Sequence, residues 1–193
     1  GYAIAMAAKA KGASVELISG PVALNPITDI RTTYVETSSE MYEAVKEKVS
    51  DFDIFISTAA IADYKPANYS DTKYKKNENN ITIEFTRGID ILETISKKHK
   101  NLFTVGFAAE TNSLKENTQQ KLAKKNLDLI VGNIANHELK LGFESDYNEV
   151  IILSNTNSKK ISHDKKSNIA NKILDFIAIE YSNKLQLVKN NVK

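Results

Sequence analysis

The sequence has no cysteine and no tryptophan, and only three prolines and seven glycines among its 193 residues. Without cysteine it can form no disulfide framework, no thiolate zinc site and no cysteine nucleophile. No apolar run approaches the ~20 residues that a membrane-spanning helix needs, and no stretch has the regions of a signal peptide. We therefore expect a soluble, cytoplasmic protein without a membrane partner.

Neither sign of charge dominates. Lysine and arginine number 26 against 24 acidic residues, for a formal net charge of +2. So small a surplus argues against a protein built to coat nucleic acid. The apolar fraction of 41% is ordinary for a globular protein, and the length suits one well-buried domain. We expect a single domain over residues 1–183 and a flexible tail over 184–193.

Helical and strand patterns alternate along most of the chain. Helices are predicted over 1–12, Glu40–Val49 with an N-cap cluster at 37–39, Asp90–Lys98, Ser113–Lys125 and about Lys166–Tyr181. Strands are predicted over Val15–Ser19, Arg31–Glu36, Asp53–Ser57 as the central strand, Ile81–Phe85, Leu102–Ala108 and Leu127–Val131, with a hairpin of Glu149–Leu153 and Lys159–Ser162. The alternation predicts an α/β, doubly wound, Rossmann-like fold with a mostly parallel sheet and helices on both faces.

The first helix begins at Gly1 without a strand before it. In a βαβ unit a strand precedes the helix, so we expect the first strand of the fold to be missing from this chain and the chain to be a piece of a longer polypeptide.

A ligand site is predicted where the strand over Asp53–Ser57 ends. Ligands of open α/β sheets bind outside the carboxyl ends of the strands. The small residues after Ser57 let a backbone approach a ligand, Asp63 can hold a metal or hydroxyls, and the basic group Lys73, Lys75 and Lys76 can neutralise phosphate. This pattern indicates an anionic, nucleotide-like substrate, and the alternative is that the lysine-rich loop is only a solvated one.

Other sites find little support in the sequence. His99, His137 and His163 lie far apart and without ligand spacing, so we predict no histidine metal site and assign no residue as a metal ligand from a motif. There is no GxSxG elbow and no Walker motif. Gly106 is more typical of close packing than of ligand contact.

Five linked segments carry a resemblance to a known family. They are AAIADYKP, KYKK beginning ten residues after Asp63, VGFAAET, KKNLDLIVGN and GFESDYNEV. Together they resemble the phosphopantothenoylcysteine synthetase family, also called phosphopantothenate-cysteine ligase, over nearly all of the chain. In bacteria such a domain is usually the C-terminal half of a bifunctional coenzyme A biosynthesis protein, behind a flavin-dependent decarboxylase.

The resemblance implies a ligase that joins 4'-phosphopantothenate to L-cysteine, with Mg²⁺ and, since KYKK looks like the bacterial type, with CTP. In that chemistry the pantothenate carboxylate attacks the α-phosphate to give an acyl-cytidylate and pyrophosphate, and the cysteine amine then displaces CMP. The resemblance also implies a homodimer, for which Ile81–Phe85 is a plausible pairing strand.

The resemblance assigns roles position by position. Lys73 matches the catalytic lysine. The matched nucleotide-binding positions are Ser57, Thr58, Ala59, Asp63, Lys73, Ile89, Asp90, Ile91, Leu92, Phe107, Lys121 and Lys125. Without the resemblance, the favoured interpretation of Lys121 and Lys125 is an exposed helix face.

Two departures from the family pattern matter. Arg87-Gly88-Ile89-Asp90 replaces Lys-Asn-Pro-Asp, which removes the proline that would preset the helix start. The family's loop with its catalytic asparagine would lie just before Gly1, so we expect this chain to bind nucleotide but complete the reaction poorly.

Two alternatives stay open: a dinucleotide-binding oxidoreductase domain that takes NAD, and a non-catalytic regulatory or interaction relative.

Overall fold

Helices and strands alternate as predicted. A computed structural model describes residues 1–68, 82–110, 113–134 and 145–191. The helices are α1 (Tyr2–Ala10), α2 (Ser38–Lys48), α3 (Ile91–Lys98), α4 (Leu114–Lys124) and α5 (Lys166–Asn191). The strands are β1 (Glu16–Ser19), β2 (Arg31–Tyr34), β3 (Ile54–Ser57), β4 (Tyr64–Pro66), β5 (Phe85–Arg87), β6 (Phe103–Glu110), β7 (Leu129–Ile134), β8 (Tyr147–Ser154) and β9 (Ser158–Lys165).

The strands form two pieces of parallel sheet and a short ribbon. β1 and β2 pair in parallel, and the five-stranded sheet has the order β3-β6-β7-β8-β9. In it β3, β6 and β7 are parallel, whereas β7, β8 and β9 are antiparallel neighbours, which confirms the predicted C-terminal hairpin. Within the described residues β3 lies at the edge of its sheet, so its prediction as the central strand is wrong.

Helices cover both faces of the sheet, which confirms the doubly wound fold. Alternate side chains of β6, β7 and β8 point to opposite faces because of the pleat. One face packs against α5 through a cluster of Phe103, Val105, Leu129, Val131, Val150, Ile152, Ile161, Ile169, Ile173 and Ile177. The other face packs against α3 and α4 through Leu92, Ala108, Leu122, Leu127, Ile130 and Leu153. α1 joins the α5 layer through Ile4, Ala7 and Ala170.

The start of α2 is fixed by the predicted cap. Thr37 Oγ1 accepts a hydrogen bond from the Glu40 backbone N–H at 3.1 Å, and the Glu40 carboxylate accepts one from the Thr37 backbone N–H at 3.4 Å. This reciprocal capping box satisfies two N–H groups that the first turn leaves without helical partners. The N-cap prediction at 37–39 is therefore confirmed at Thr37.

Gly106 is a packing residue, as its position in β6 predicted. A Cβ added to it would lie 2.8 Å from Leu127 Cδ1 and 2.8 Å from Leu92 Cδ2. Glycine at this position therefore lets α3 and the segment entering β7 lie close to β6.

One predicted strand is misplaced. The sequence predicts a strand over Ile81–Phe85, but β5 runs from Phe85 to Arg87 and pairs antiparallel with β4. Ile81 itself lies outside the described residues. The β4 strand was missed because its three residues are all exposed and include Pro66, so it carries no hydrophobic alternation.

The last helix is longer than predicted. α5 continues ten residues past Tyr181, to Asn191, because no glycine or proline interrupts this segment. Lys184 anchors the extension: its Nζ lies 2.8 Å from Asp128 Oδ1 and donates to the Leu102 carbonyl at 3.0 Å.

Glu180, which is 7% exposed, accepts hydrogen bonds from the β8–β9 turn at Asn157 Nδ2 and Thr156 Oγ1. The division at residue 183 into domain and tail stays a prediction.

In the described part of the chain, no helix combines the length and apolar character that a bilayer crossing requires.

Candidate functional site

The start of α1 and the carboxyl end of β3 meet at one edge of the sheet. A Cβ added to Gly1 would lie 2.9 Å from Thr58 Oγ1, so the first turn of α1 packs directly on the turn that follows β3. Gly1, Ser57, Thr58 and Ala59 line one end of a cavity of about 280 Å³. The predicted site residues Ser57, Thr58 and Ala59 therefore do lie beside a helix start at the carboxyl edge.

The amino end of α1 suits an anion. No side chain caps this helix, and the Gly1 carbonyl accepts hydrogen bonds from the N–H groups of Ile4 and Ala5. The positive end of the helix dipole therefore lies at the sheet edge, where it favours negative charge. Beside it the Tyr2 hydroxyl lies 3.1 Å from Ser19 Oγ, at the carboxyl end of β1. The sequence analysis missed this pair because Tyr2 and Ser19 are 17 residues apart and belong to no motif.

Asp90 defines the start of α3. Its carboxylate accepts a hydrogen bond from the Glu93 backbone N–H at 3.0 Å, and the helix begins at the next residue, Ile91. This side-chain cap fixes the helix start without the family proline, because position 89 lies outside the helix. Ile89 is half exposed, while Ile91 and Leu92 are 3% and 8% exposed. The two buried side chains belong to the core, so only their backbone groups can meet a ligand.

Asp90 and Lys125 form an ion pair that sequence reasoning did not foresee. Lys125 Nζ lies 2.7 Å from Asp90 Oδ2, and both side chains are about one quarter exposed. The Ser96 hydroxyl donates to the Lys125 carbonyl at 2.5 Å, so the lysine side chain extends along α3 from Ser96 to the helix start. Each residue was predicted as a nucleotide contact, and the structure shows that each already has an oppositely charged partner.

The electrostatics of Asp90 reflect this partner. Burial alone would raise its pKa, but the hydrogen bonds from Lys125 and the Glu93 N–H, with the charges of Lys125 and Arg87, outweigh burial. The pKa of Asp90 is therefore lower than its ordinary value, and the carboxylate is ionised at neutral pH. A ligand that recruits Lys125 has to compete with this carboxylate.

The β4–β5 ribbon brings Asp63 to the loop before α3. The Asp63 carbonyl accepts a hydrogen bond from the Gly88 N–H at 2.8 Å, and Tyr64 pairs with Arg87. A Cβ on Gly88 would lie 3.4 Å from the Ala62 carbonyl oxygen, so glycine permits this close approach. The Asp63 side chain is exposed, and Asp63 immediately precedes Tyr64, the first residue of β4.

The remaining predicted residues are more scattered. Phe107 is half-buried and packs against the α1–α5 cluster of Ile4, Ala7 and Ala170, on the face opposite Leu92. Lys121 is exposed on α4, one turn before Lys125. Lys73, Lys75 and Lys76 lie outside the described residues. Among the residues that are described, no cluster of three or more His, Asp or Glu side chains could hold a metal ion.

Comparison with known proteins gives a consistent result. Residues 1–181 match the model of a family described as the DNA/pantothenate metabolism flavoprotein C-terminal domain. The coenzyme A biosynthesis bifunctional protein CoaBC of Vibrio vulnificus (strain CMCP6) is 40% identical over 177 residues, which are 90% of this chain and 44% of that protein. The chain thus spans less than half the length of this curated relative.

Solved structures agree in fold. The crystal structure of the C-terminal domain of a CoaBC protein superposes with a TM-score of 0.77 at 34% identity, covering 95% of this chain and 82% of that one. A Cab2 mutant solved in complex with phosphopantothenate-cysteine has a TM-score of 0.66 at 17% identity, covering 83% of this chain and 55% of that one. At this low identity the second likeness concerns the fold alone.

Proposed function

Because the chain belongs to the DNA/pantothenate metabolism flavoprotein C-terminal domain family, we propose that it is a ligase of coenzyme A biosynthesis that joins 4'-phosphopantothenate to L-cysteine with CTP. The name of the Vibrio relative supports a role in coenzyme A biosynthesis, and the phosphopantothenate-cysteine bound by a protein of the same fold is the product that this ligase would form. The observation that carries the proposal is that the first turn of α1 packs on the turn after β3, beside Ser57, Thr58 and Ala59. A helix start at the carboxyl edge of the sheet favours a ligand rich in negative charge.

The proposed reaction has two balanced steps. A carboxylate oxygen of 4'-phosphopantothenate attacks the α-phosphorus of CTP, and the bond to the β-phosphate oxygen breaks, so that pyrophosphate leaves and an acyl-cytidylate forms. The cysteine amine then attacks the acyl carbon and gives up a proton, and CMP leaves with the electron pair of the carbon–oxygen bond. In the first step negative charge develops on the α-phosphate oxygens and on the leaving pyrophosphate, so fixed positive charge is the main requirement for catalysis.

The chain's residues supply that charge in the proposal. Lys73 is the proposed catalytic lysine, since an ammonium on a flexible stem can approach the charged oxygens of the α-phosphate. Lys121 and Lys125 lie near enough in sequence to act on one nucleotide, with Asp90 orienting Lys125. The backbone at Ser57, Thr58 and Ala59 lines the cavity end where a nucleotide could lie.

Magnesium fits the residues that are present. Mg²⁺ in nucleotide sites is usually held by one or two carboxylates together with substrate phosphates, not by an all-protein cage. Asp63 offers one exposed carboxylate beside the loop into α3. When bound with CTP, the ion would neutralise phosphate charge, and Asp63 is the residue we propose to hold it.

We propose that the β4–β5 ribbon mediates a homodimer. Tyr64 and Phe85 of the ribbon and Ile83 beside it are 62%, 56% and 54% exposed. A two-stranded ribbon also leaves an outer edge on each strand that can pair with a second copy across a two-fold axis. Sedimentation equilibrium should show a dimer that Phe85→Asp weakens, and a monomer in the unmodified chain would contradict it.

The ligase reaction can be tested with protein in excess over CTP, so that even a slow conversion is visible. With 4'-phosphopantothenate, CTP and Mg²⁺, pyrophosphate should be released, and CMP and the cysteine adduct should appear by mass spectrometry only after L-cysteine is added. Lys73→Gln should slow pyrophosphate release by about 10²–10³-fold, the usual loss of one transition-state charge contact. Lys159→Gln, an exposed lysine on β9, is the matched control and should react normally.

The outcome that contradicts the proposal is equally specific. If no pyrophosphate forms with any combination of these substrates, the chain is not this ligase. If the chain instead binds NAD tightly and ignores CTP, it is a dinucleotide-binding domain.

A further inference from the structure

The helices α1 and α5 lie side by side and run in the same direction. Near their starts Ile4 and Ala7 of α1 pack against Ala170 of α5. Further along the two helices, Lys11 Nζ lies 2.7 Å from Asp175 Oδ1. The strand β9, which leads into α5, is parallel to β7 because both are antiparallel to β8, so α5 begins at the carboxyl edge of the sheet. Both helix starts therefore lie at the edge that holds the proposed ligand site.

Lys166 is the first residue of α5 and lies on the side of that helix that faces α1. Residues four apart share a face of a helix, and Ala170, four residues later, is 1% exposed in the contact with α1. Side chains of a helix also point back towards its amino end, so that of Lys166 extends towards the carboxyl edge. Burial and, less strongly, the charge of Lys166 lower the pKa of the Gly1 amino group. The lysine ammonium thus lies near the start of α1.

Lys166 is half-buried and makes no ion pair with any residue that the structure describes. The nearest acidic residue in sequence, Asp164, is already occupied, because Lys172 Nζ lies 2.7 Å from its Oδ2 and Asn168 Nδ2 donates to its Oδ1 at 2.8 Å. Asp175 is paired with α1. Taking an ammonium partly out of water without an opposite charge is unfavourable. The position of Lys166 therefore favours an anion that arrives as a ligand.

The α4 lysines that we propose for CTP lie on the other face of the sheet. Lys121 and Lys125 belong to α4, whose buried Leu122 packs on the face opposite α5. The proposed reaction brings two phosphate-bearing substrates together at one edge of the sheet. CTP carries its triphosphate, and 4'-phosphopantothenate carries a single phosphate at the end remote from its reacting carboxylate. Because Lys166 lies on the side of α1 and α5, it suits the second of these phosphates.

We propose that the Lys166 ammonium binds the 4'-phosphate of phosphopantothenate beside the start of α1. A lysine ammonium is a compact point charge with three N–H donors for phosphate oxygens. The dipoles of α1 and α5 add positive potential at the same edge. The inference rests on the proposed ligase function and adds to it the residue that selects phosphorylated over unphosphorylated pantothenate.

The test is calorimetric titration of the chain and of its Lys166→Gln variant with 4'-phosphopantothenate, unphosphorylated pantothenate and CTP in turn. The substitution keeps the backbone N–H of residue 166, which donates to the Asp146 carbonyl at 2.8 Å, so the start of α5 is retained. The variant should bind 4'-phosphopantothenate about 10–100-fold more weakly, the usual effect of losing a hydrogen bond between charged groups. Its affinities for pantothenate, which lacks the phosphate, and for CTP should change much less.

Two further variants serve as controls. Lys166→Arg keeps the positive charge and should retain most of the affinity for 4'-phosphopantothenate. Lys159→Gln removes the same charge near the opposite end of β9 and should leave all three affinities unchanged.

The inference is overturned if Lys166→Gln binds 4'-phosphopantothenate as tightly as the unmodified chain does. It is also overturned if the substitution weakens CTP binding to the same extent, since Lys166 would then act on phosphates in general. Either result leaves the proposed ligase reaction standing, whereas an unmodified chain that does not bind 4'-phosphopantothenate contradicts both proposals.

Discussion

Asp90 has two structural roles that different substitutions can separate. Its carboxylate caps α3 through the Glu93 N–H and pairs with Lys125 at 2.7 Å. Asparagine is as good an N-cap as aspartate, so Asp90→Asn should remove only the ion pair. Exposed ion pairs contribute ~0.2–1 kcal/mol, and this pair, about one quarter exposed, should lie near ~1 kcal/mol. Asp90→Ala also removes the cap, at a further ~1 kcal/mol.

Urea unfolding of a double-mutant cycle measures these contributions. Asp90→Asn and Lys125→Met should each lower the free energy of unfolding by ~1 kcal/mol, and the double variant should lose no more than either single one. Additive losses would show that the two side chains do not interact. Equal losses for Asp90→Asn and Asp90→Ala would show that the carboxylate does not cap α3.

The stabilisation that the Asp90 carboxylate provides should also depend on pH. The folded-state pKa of Asp90 is below the ordinary value of 3.8, so the unfolded chain binds the proton more readily. The ionised carboxylate therefore stabilises the protein above pH ~3.8, and this stabilisation disappears as the pH falls through the folded-state pKa. The difference between the unmodified chain and Asp90→Asn should shrink in acid, and a difference that grew would refute this reasoning.

Three further predictions concern packing and charge elsewhere. Gly106→Ala should cost ~1–3 kcal/mol in urea unfolding because its Cβ has no room, whereas Gly20→Ala, whose nearest contact would be 3.8 Å away, should be tolerated. The pKa of Asp164 is lowered to about 2 by hydrogen bonds, of which the one from Lys172 has the largest effect. An NMR titration should show that value, and the Lys172→Gln variant should raise the pKa of Asp164 towards 3.8. Glu180→Ala should cost about 0.5–1.5 kcal/mol because it removes the hydrogen bonds that the exposed β8–β9 turn donates to the carboxylate, and an unchanged unfolding midpoint would contradict this.

Local chemistry made much of the fold predictable. Thr37 is a cap because its hydroxyl reaches an N–H three residues later, and this is visible in the sequence. The buried strands β6 and β7 are apolar runs that a parallel sheet requires. These features depend on residues that are close together in the chain.

What the sequence could not show depends on distant residues. The Lys125–Asp90 ion pair joins residues 35 positions apart and exists only because α3 and α4 lie side by side. The β4–β5 ribbon has no hydrophobic alternation, since all its residues are exposed. The contact of Lys184 in α5 with Asp128 is likewise one that no local pattern reveals.

We propose that the carboxyl edge of this sheet binds CTP with the help of Lys73, and calorimetric titration measures this binding. The chain would be titrated with CTP, ATP and NAD in the presence of Mg²⁺, beside Lys73→Gln and the control Lys159→Gln. We predict that CTP binds most tightly, that Lys73→Gln weakens it, and that Lys159→Gln leaves it unchanged. Tighter binding of NAD than of CTP, or equal affinity of the Lys73→Gln variant for CTP, would show that this edge is not the proposed CTP site.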